Sequence, residues 1–252
     1  MFTDEQRYLF DLQGFIVVRQ ALDAGILAEL NQAIDAQQLA PPGDDFAGQL
    51  FSGYLAWSAV FRELLDHPAV HPMLTDLFEK RMRLDRYYGI RMRSGTSGLP
   101  LHGGACEAHD QSEFYTFRNG RMSSGIVTVS WALTDMGAGQ GGFLCVPGSH
   151  KSNFPAPAGW DHRHESVHHV ELRAGDVVVF NNALLHGTHP WFAEHERRTL
   201  LFKYAPGHLA WSRVYLDWSE ELRASLTPTQ RTLLEPPYCL PHHHDATNEF
   251  VD

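Results

Sequence analysis

The chain has 252 residues, 43% hydrophobic and 20% charged, which is enough apolar material to bury a sizeable core and excludes a disordered or fibrous polypeptide. Thirty Asp and Glu against 20 Lys and Arg leave a formal charge of −10, which excludes a general nucleic-acid binder, since that needs a basic stripe to displace counterions. No apolar run approaches the roughly 18 residues that span a bilayer, and MFTDEQRYLF lacks the basic segment and long apolar stretch of a secretory signal.

Three cysteines, Cys106, Cys145 and Cys239, are too few and too scattered for a disulfide framework or a thiolate zinc site. A reducing, cytoplasmic setting is the expectation. In chain order, Thr3 with Gln6 has the form of a capping box, which satisfies orphan N–H groups at a helix start, and that helix should end near Gly14. Phe15 to Val18 reads as a short buried strand. Asp23 can cap a second helix whose Ile26, Leu27, Leu30, Ala33 and Ile34 share one face at the 3.6-residue period. Further helices are expected over Ala56 to Leu65 and Ala69 to Phe78.

From Arg81 the texture changes. Arg81 to Arg93, Gly125 to Leu133, Gly142 to Val146, Val167 to Leu172, Asp176 to Asn181 and Thr199 to Tyr204 are short, rich in β-branched and aromatic residues, and separated by glycine or proline. Strands without helices between each successive pair predict an antiparallel sandwich or barrel rather than a βαβ sheet. Helical signals return after Gly207, with Thr227-Pro228 as an N-cap followed by proline at the first helical position. The expected architecture is a single domain over residues 1–252. It is mainly β with flanking helices: a jelly roll carrying an N-terminal helical layer (about 1–80) and a helical, proline-rich tail (about 208–252).

Sixteen histidines are the unusual entry in the composition. His67 and His71 each precede proline and read as turn or helix-end residues. His162, His164, His168 and His169 fall in a polar loop, and His242 to His244 form a surface tract near the end of the sequence. His102 and His186 differ. His102 stands in Leu-His-Gly-Gly, where small residues allow close approach, and His186 follows the apolar strand DVVVFNNALL. Arg197, eleven residues after His186, opens the strand RTLLFKY beside Arg198. Strands distant in sequence converge in an antiparallel roll, so these residues could form a metal-and-anion site: imidazole suits iron, copper, zinc or nickel, and a guanidinium grips a carboxylate at two points. Two satisfied histidines and a surface ion pair remain the alternative.

The segments TDEQRYLFDLQGFIVV, LPLHGG, SGIVTVSWALTDMGAGQGGFLCVPGSHKSNF, DVVVFNNALLHGTHPW and RRTLLFKY, in that order, resemble the phytanoyl-CoA dioxygenase family from about residue 3 to 208. The resemblance implies a double-stranded β-helix and an iron(II)- and 2-oxoglutarate-dependent oxygenase. Such an enzyme hydroxylates a C–H bond of a small organic substrate with dioxygen and releases succinate and carbon dioxide. It implies His102 and His186 as iron ligands and Arg197, or Arg198 one register away, as the 2-oxoglutarate anchor. Thr188 and Trp131 would lie around the 2-oxoglutarate carboxylates, and Ser149, His150 and Lys151 form the family's PGSHK turn, read mainly as structural.

One departure is expected to matter. The family pattern His-x-Asp supplies a carboxylate to the metal, whereas this chain reads His102-Gly103-Gly104. Asp110 is the favoured replacement, with Glu107 as a second candidate and His109 beside them. A chloride ion in the vacant place, as in halogenating relatives, is the next reading, and a weak-metal or silent roll that binds an acid is the third. The irregular stretch from Gly95 to Asn119 is expected to cover the pocket, with Tyr115 and Arg118 facing substrate. Rival classes are a metal-dependent cupin isomerase or hydrolase, which has no need of Arg197, and a binding module without turnover.

Overall fold

A computed structural model describes residues 2–41, 48–78, 81–104, 111–211, 218–239, 243–244 and 250–251. Thr3 and Gln6 form the reciprocal capping box of helix α1 (Asp4–Gln13), and Gly14, in the left-handed region, ends it. Strand β1 (Phe15–Val18) follows directly. Asp23 caps helix α2 (Ala24–Asp35) by accepting from the backbone N–H groups of Gly25 and Ile26. Strand β2 (Gln49–Phe51), one 3-10 turn at Tyr54–Ala56, α3 (Ala59–Glu63) and α4 (His71–Phe78) complete the N-terminal layer. The single helix expected over Ala56 to Leu65 is therefore broken, with Trp57 and Ser58 between the 3-10 turn and α3.

The β body comprises β3 (Met82–Met92), β4 (Leu99–His102), β5 (Tyr115–Arg118), β6 (Arg121–Ser124), β7 (Val127–Ala132), β8 (Gly142–Cys145), β9 (His168–His169), β10 (Val177–Asn181), β11 (His186–His189) and β12 (Arg197–Pro206). Two sheets face each other, with orders β1-β10-β7-β12-β3-β2 and β4-β11-β8-β9, all neighbours antiparallel. This is the expected jelly roll. β4 and β5 lie inside the stretch Gly95 to Asn119 read as irregular, and β5 forms a separate hairpin with β6 just beyond it. The strand expected over Val167 to Leu172 is reduced to β9 and a bridge between Leu172 and Met136. After the roll come α5 (Glu220–Ser225) and α6 (Pro228–Leu233), the latter with the Thr227–Gln230 capping box and its proline at the helix start. No described helix is long and apolar enough to cross a membrane.

Strand alternation divides the apolar residues into two cores. Val127, Val129 and Trp131 of β7, Val177 and Val179 of β10, and Leu200, Phe202 and Tyr204 of β12 pack outward against Phe10, Leu30, Ile34, Tyr54, Phe61 and Leu65 of the N-terminal layer. Ala132, Val178, Phe180, Met92, Met136, Phe143 and Cys145 fill the interior of the roll. β10, covered on both faces, reads as a continuous apolar run, whereas β7 alternates Val127, Val129 and Trp131 with Thr128 and Ser130 although both of its faces are buried.

Candidate active site

β4 and β11 adjoin in the smaller sheet, and their register sets His102 directly opposite His186. The two rings lie 4.3 Å apart, tilted by 51°. Nδ1 of His186 donates to the Leu184 carbonyl at 2.6 Å, and Nδ1 of His102 to the Pro100 carbonyl at 2.9 Å. A carbonyl only accepts, so each Nδ1 carries the proton and each Nε2 is the ring's basic nitrogen, the tautomer that a ligating histidine needs. His186 is buried between the rings of Phe180 (4.8 Å) and Phe143 (6.3 Å). Burial, reinforced by the nearby charges of His102 and Lys203, holds its pKa well below 6.5, so it is neutral at physiological pH.

The two glycines after His102 have a local cause. Gly103 has φ +85°, and a Cβ there would stand 2.9 Å from the Asn182 carbonyl oxygen and 3.0 Å from that of Leu184, the turn that delivers His186. Gly104 has φ +113°, a conformation L-residues rarely adopt, and among the described residues nothing lies within 4 Å of where its Cβ would stand. Asp110, Glu107 and His109 lie outside the described residues. Among the described residues, no group of three His, Cys, Asp or Glu side chains is arranged to hold a metal.

Across the roll, β12 supplies the cation. Arg197 is 3% exposed. Its Nε and Nη1 lie 3.1 Å and 3.2 Å from the thioether sulfurs of Met136 and Met92, which are weak acceptors. It forms no ion pair with a carboxylate among the described residues, and burial lowers its pKa to about 10, so it stays charged. A buried guanidinium with such partners is costly unless an anion joins it. Two residues along the same face, Thr199 is buried with its hydroxyl unpartnered among the described residues. An anchored charge and an orphan donor thus share one wall, the arrangement that a small carboxylate completes.

Several sequence expectations need correction. Arg198 points to the outer face, where it pairs with Glu196 (2.7 Å) and with Asp35 of α2 (2.6 Å), because neighbouring strand residues face opposite ways. Trp131 likewise faces the helical layer, edge-on to His67 at 5.1 Å, and not the roll interior. Tyr115 donates to the carboxylate of Asp11, which Lys151 pairs at 3.1 Å, so it joins the PGSHK turn to α1 instead of facing the histidines. Arg118 is exposed at the end of β5 where the hairpin turns. Thr188 remains on the His186 face, two residues on and half-buried. Ser149 of the PGSHK turn accepts from the Leu185 backbone N–H at 2.8 Å, bracing the entry to β11.

Sequence reasoning missed Thr199, Met92, Met136 and Lys203. Counting in twos from Arg197 along RRTLLFKY reaches Thr199, Leu201 and Lys203, so the signal was present once Arg197 was taken as inward. His162, His169 and His189 gather outside the smaller sheet with ring centroids 4.5 and 4.7 Å apart, but they pack edge to face and do not converge on one point. A cavity of about 710 Å³ beside Gly103 and Gly104 is lined by Leu101, Val146, Phe154, Trp160 and Leu185. Leu101 and Leu185 are the chain neighbours of the two histidines, so this cavity adjoins the outer side of β4 and the start of β11.

The curated dioxygenase olcK of Penicillium canescens is 23% identical over 92% of this chain and 80% of its own length. Dioxygenase af480 of Aspergillus fumigatus is 28% identical over 70% of this chain, which spans 55% of af480. Among solved structures, HygX from Streptomyces hygroscopicus with nickel and 2-oxoglutarate bound is 26% identical, with a TM-score of 0.76 over 88% of this chain and 94% of HygX. HygX has also been solved with iron. The model of the family "phytanoyl-CoA dioxygenase (PhyH)" matches residues 10–199: the chain belongs to the phytanoyl-CoA dioxygenase family.

Proposed function

We propose that this chain is a non-haem Fe(II)- and 2-oxoglutarate-dependent oxygenase that hydroxylates a C–H bond of a small organic substrate. The observation that carries the reading is a buried Arg197 without a carboxylate partner among the described residues, in the same roll as a pair of opposed histidines whose Nδ1 protons are held by backbone carbonyls. Those residues fit the two groups: His102 and His186 would hold the iron, and Arg197 with the Thr199 hydroxyl would hold the distal carboxylate of 2-oxoglutarate, with Thr188 on the histidine wall. The bound pair would supply oxidation by dioxygen, with succinate and carbon dioxide released. The chain's own part is to keep His186 neutral and both imidazoles oriented, to fix the keto acid by its far end, and to exclude water with Phe143, Phe180, Met92 and Met136. HygX, with nickel and 2-oxoglutarate in its crystal structure, supports this choice of groups. Asp110, with Glu107 as the alternative, would complete the metal ligands.

Anaerobic titration tests the proposal. Protein with Fe²⁺ and 2-oxoglutarate should develop a visible charge-transfer band that His186→Ala or Arg197→Met removes. A wild-type chain that binds neither would overturn it, and a band in Arg197→Met equal to wild type would overturn the assigned anchor.

A second reading has its own observation. Gly104 stands where the family carries its carboxylate, with φ +113° and nothing among the described residues within 4 Å of its Cβ position, so a halide could occupy that place and make the enzyme a halogenase. Iron affinity of Asp110→Ala and Glu107→Ala at low and high chloride separates the two. Loss of iron in either variant favours the carboxylate. Unchanged affinity that tightens with chloride favours the halide.

A further inference from the structure

The cavity beside Gly103 and Gly104 has walls of one chemical kind. It encloses about 710 Å³, within the range of roughly 300–1,000 Å³ that houses a drug-sized molecule. Leu101, Val146 and Leu185 line its side at the smaller sheet, and the segment after β8 lines the other with Phe154 and Trp160. None of the described residues around it carries an ionisable side chain. Its two serines are already engaged. Ser149 accepts from the Leu185 N–H at 2.8 Å, and Ser152 donates to the Phe154 carbonyl at 2.7 Å. The backbone N–H groups of Val146, Gly148, Ser149 and Ser152 are bonded to carbonyls of the chain, and Pro147, Pro155 and Pro157 in the same wall have no N–H to offer. A charged guest would lose water there and meet no opposite charge among these residues, which is costly, whereas an apolar guest gains by leaving water.

The aromatic side chains are set to receive a ring. Trp160 is stacked on His164 at 3.7 Å with 18° between the planes, and Nδ1 of His164 accepts from the Ser166 N–H at 3.1 Å, so the indole is fixed before a ligand arrives. Phe154 is 80% exposed, an apolar ring left in water beside an apolar cavity, and a bound molecule would cover it. Gly103 links the cavity to the histidines. It lines the cavity, follows His102 in the chain, and a Cβ on it would stand 3.2 Å from Nδ1 of His186. Gly104 lines the cavity next to it. Neither glycine puts a side chain between the cavity and the histidine pair.

We infer that the substrate is an uncharged, mainly apolar ring compound, and that it seats in this cavity against Phe154 and Trp160 with one edge at the Gly103–Gly104 turn. The inference rests on the oxygenase reading and adds the substrate class and two specificity residues to it. The test uses the Fe²⁺- and 2-oxoglutarate-loaded protein without oxygen. 2-Naphthamide is titrated beside 2-naphthoate and 2-naphthylmethylammonium, which keep the ring and change the charge, and progesterone serves as a larger neutral ring compound. Binding is read by calorimetry and by the shift of the visible band.

At least one neutral compound should bind saturably, shift the band, and bind tenfold or more tighter than either ion. Phe154→Ala and Trp160→Ala should each weaken that compound fivefold or more while 2-oxoglutarate affinity changes less than twofold. Ions that bind as well as the neutral compounds, or no binding by any of the four, would overturn the inference on the unaltered chain, independently of whether a variant folds. Neutral binding that leaves the band unmoved would place the guest away from the metal and overturn it too, as would affinity that survives in both variants. A wild-type chain that fails to take up 2-oxoglutarate would remove the oxygenase reading first, a result distinct from all of these.

Discussion

On the proposed reading, Arg197 and Thr199 give up stability in the ligand-free chain for the sake of binding. With thioether sulfurs as its side-chain partners, the Arg197 guanidinium is a buried charge whose desolvation is poorly offset in the ligand-free chain. Arg197→Met should therefore raise the melting temperature of ligand-free protein, by on the order of 1 kcal/mol in stability, and weaken 2-oxoglutarate by about a hundredfold, the worth of a charge-assisted two-point contact. Calorimetric melting beside a 2-oxoglutarate titration checks both signs. Thr199→Val removes a buried hydroxyl that lacks a partner among the described residues. It should leave the ligand-free chain as stable or more so and cost 2-oxoglutarate about tenfold, equivalent to roughly 1.4 kcal/mol. A Thr199→Val protein that loses stability but not affinity would place that hydroxyl in an unseen structural bond.

At the scale of elements, strand alternation decides what the sequence discloses. The choice between Arg197 and Arg198 was open in the sequence because both begin RRTLLFKY; pairing of β12 with β3 and β7 turns Arg197 into the roll and Arg198, a single step on, out to Asp35 of α2. The same alternation sends Trp131 to the helical layer, since Ala132 beside it belongs to the interior. Motif resemblance located that strand correctly but carried no information about which face the indole takes. Trp131→Phe should accordingly leave 2-oxoglutarate affinity unchanged while costing about 1–2 kcal/mol in urea unfolding. The histidine pair was legible because glycines flank it; the reason for Gly103 was not, because the crowding comes from the carbonyls of Asn182 and Leu184, far away in the sequence. Gly103→Ala forces a Cβ against those oxygens at positive φ and should cost about 2 kcal/mol. Iron affinity should fall with it, since the displaced turn carries His186.

For the molecule as a whole, pH reports how its layers are joined. His150 is fully buried in the PGSHK turn, edge-on to Tyr115 at 4.7 Å and 3.1 Å from the Asp11 carbonyl of α1. Burial and the neighbouring Lys151 lower its pKa to about 4. The unfolded chain then binds a proton near pH 6.5 that the folded chain refuses, so this stabilisation is complete above pH 6.5 and is lost as pH falls towards 4. The loss should be on the order of 3 kcal/mol, read as a drop in melting temperature across that window that His150→Gln lessens. The jelly roll itself, and the helical layers before and after it, were legible from capping residues and apolar periods. The clamp between α1, β5 and the PGSHK turn was not, because Asp11, Tyr115 and Lys151 are ordinary surface types that only the tertiary fold assembles.

β4 sits at the rim of its sheet, bonded to β11 alone, four residues long and with a slipped register between its two paired positions. One of the two imidazoles therefore rides on a short rim strand, while the other is embedded in the middle of the same sheet. An ion bridging them would act as a rivet: the amide protons of Leu99, Leu101 and His102 should exchange with solvent quickly in the empty protein and slow sharply once metal arrives. Departure of the ion, by the same logic, would begin with fraying of that margin and not with any disturbance of the arginine wall.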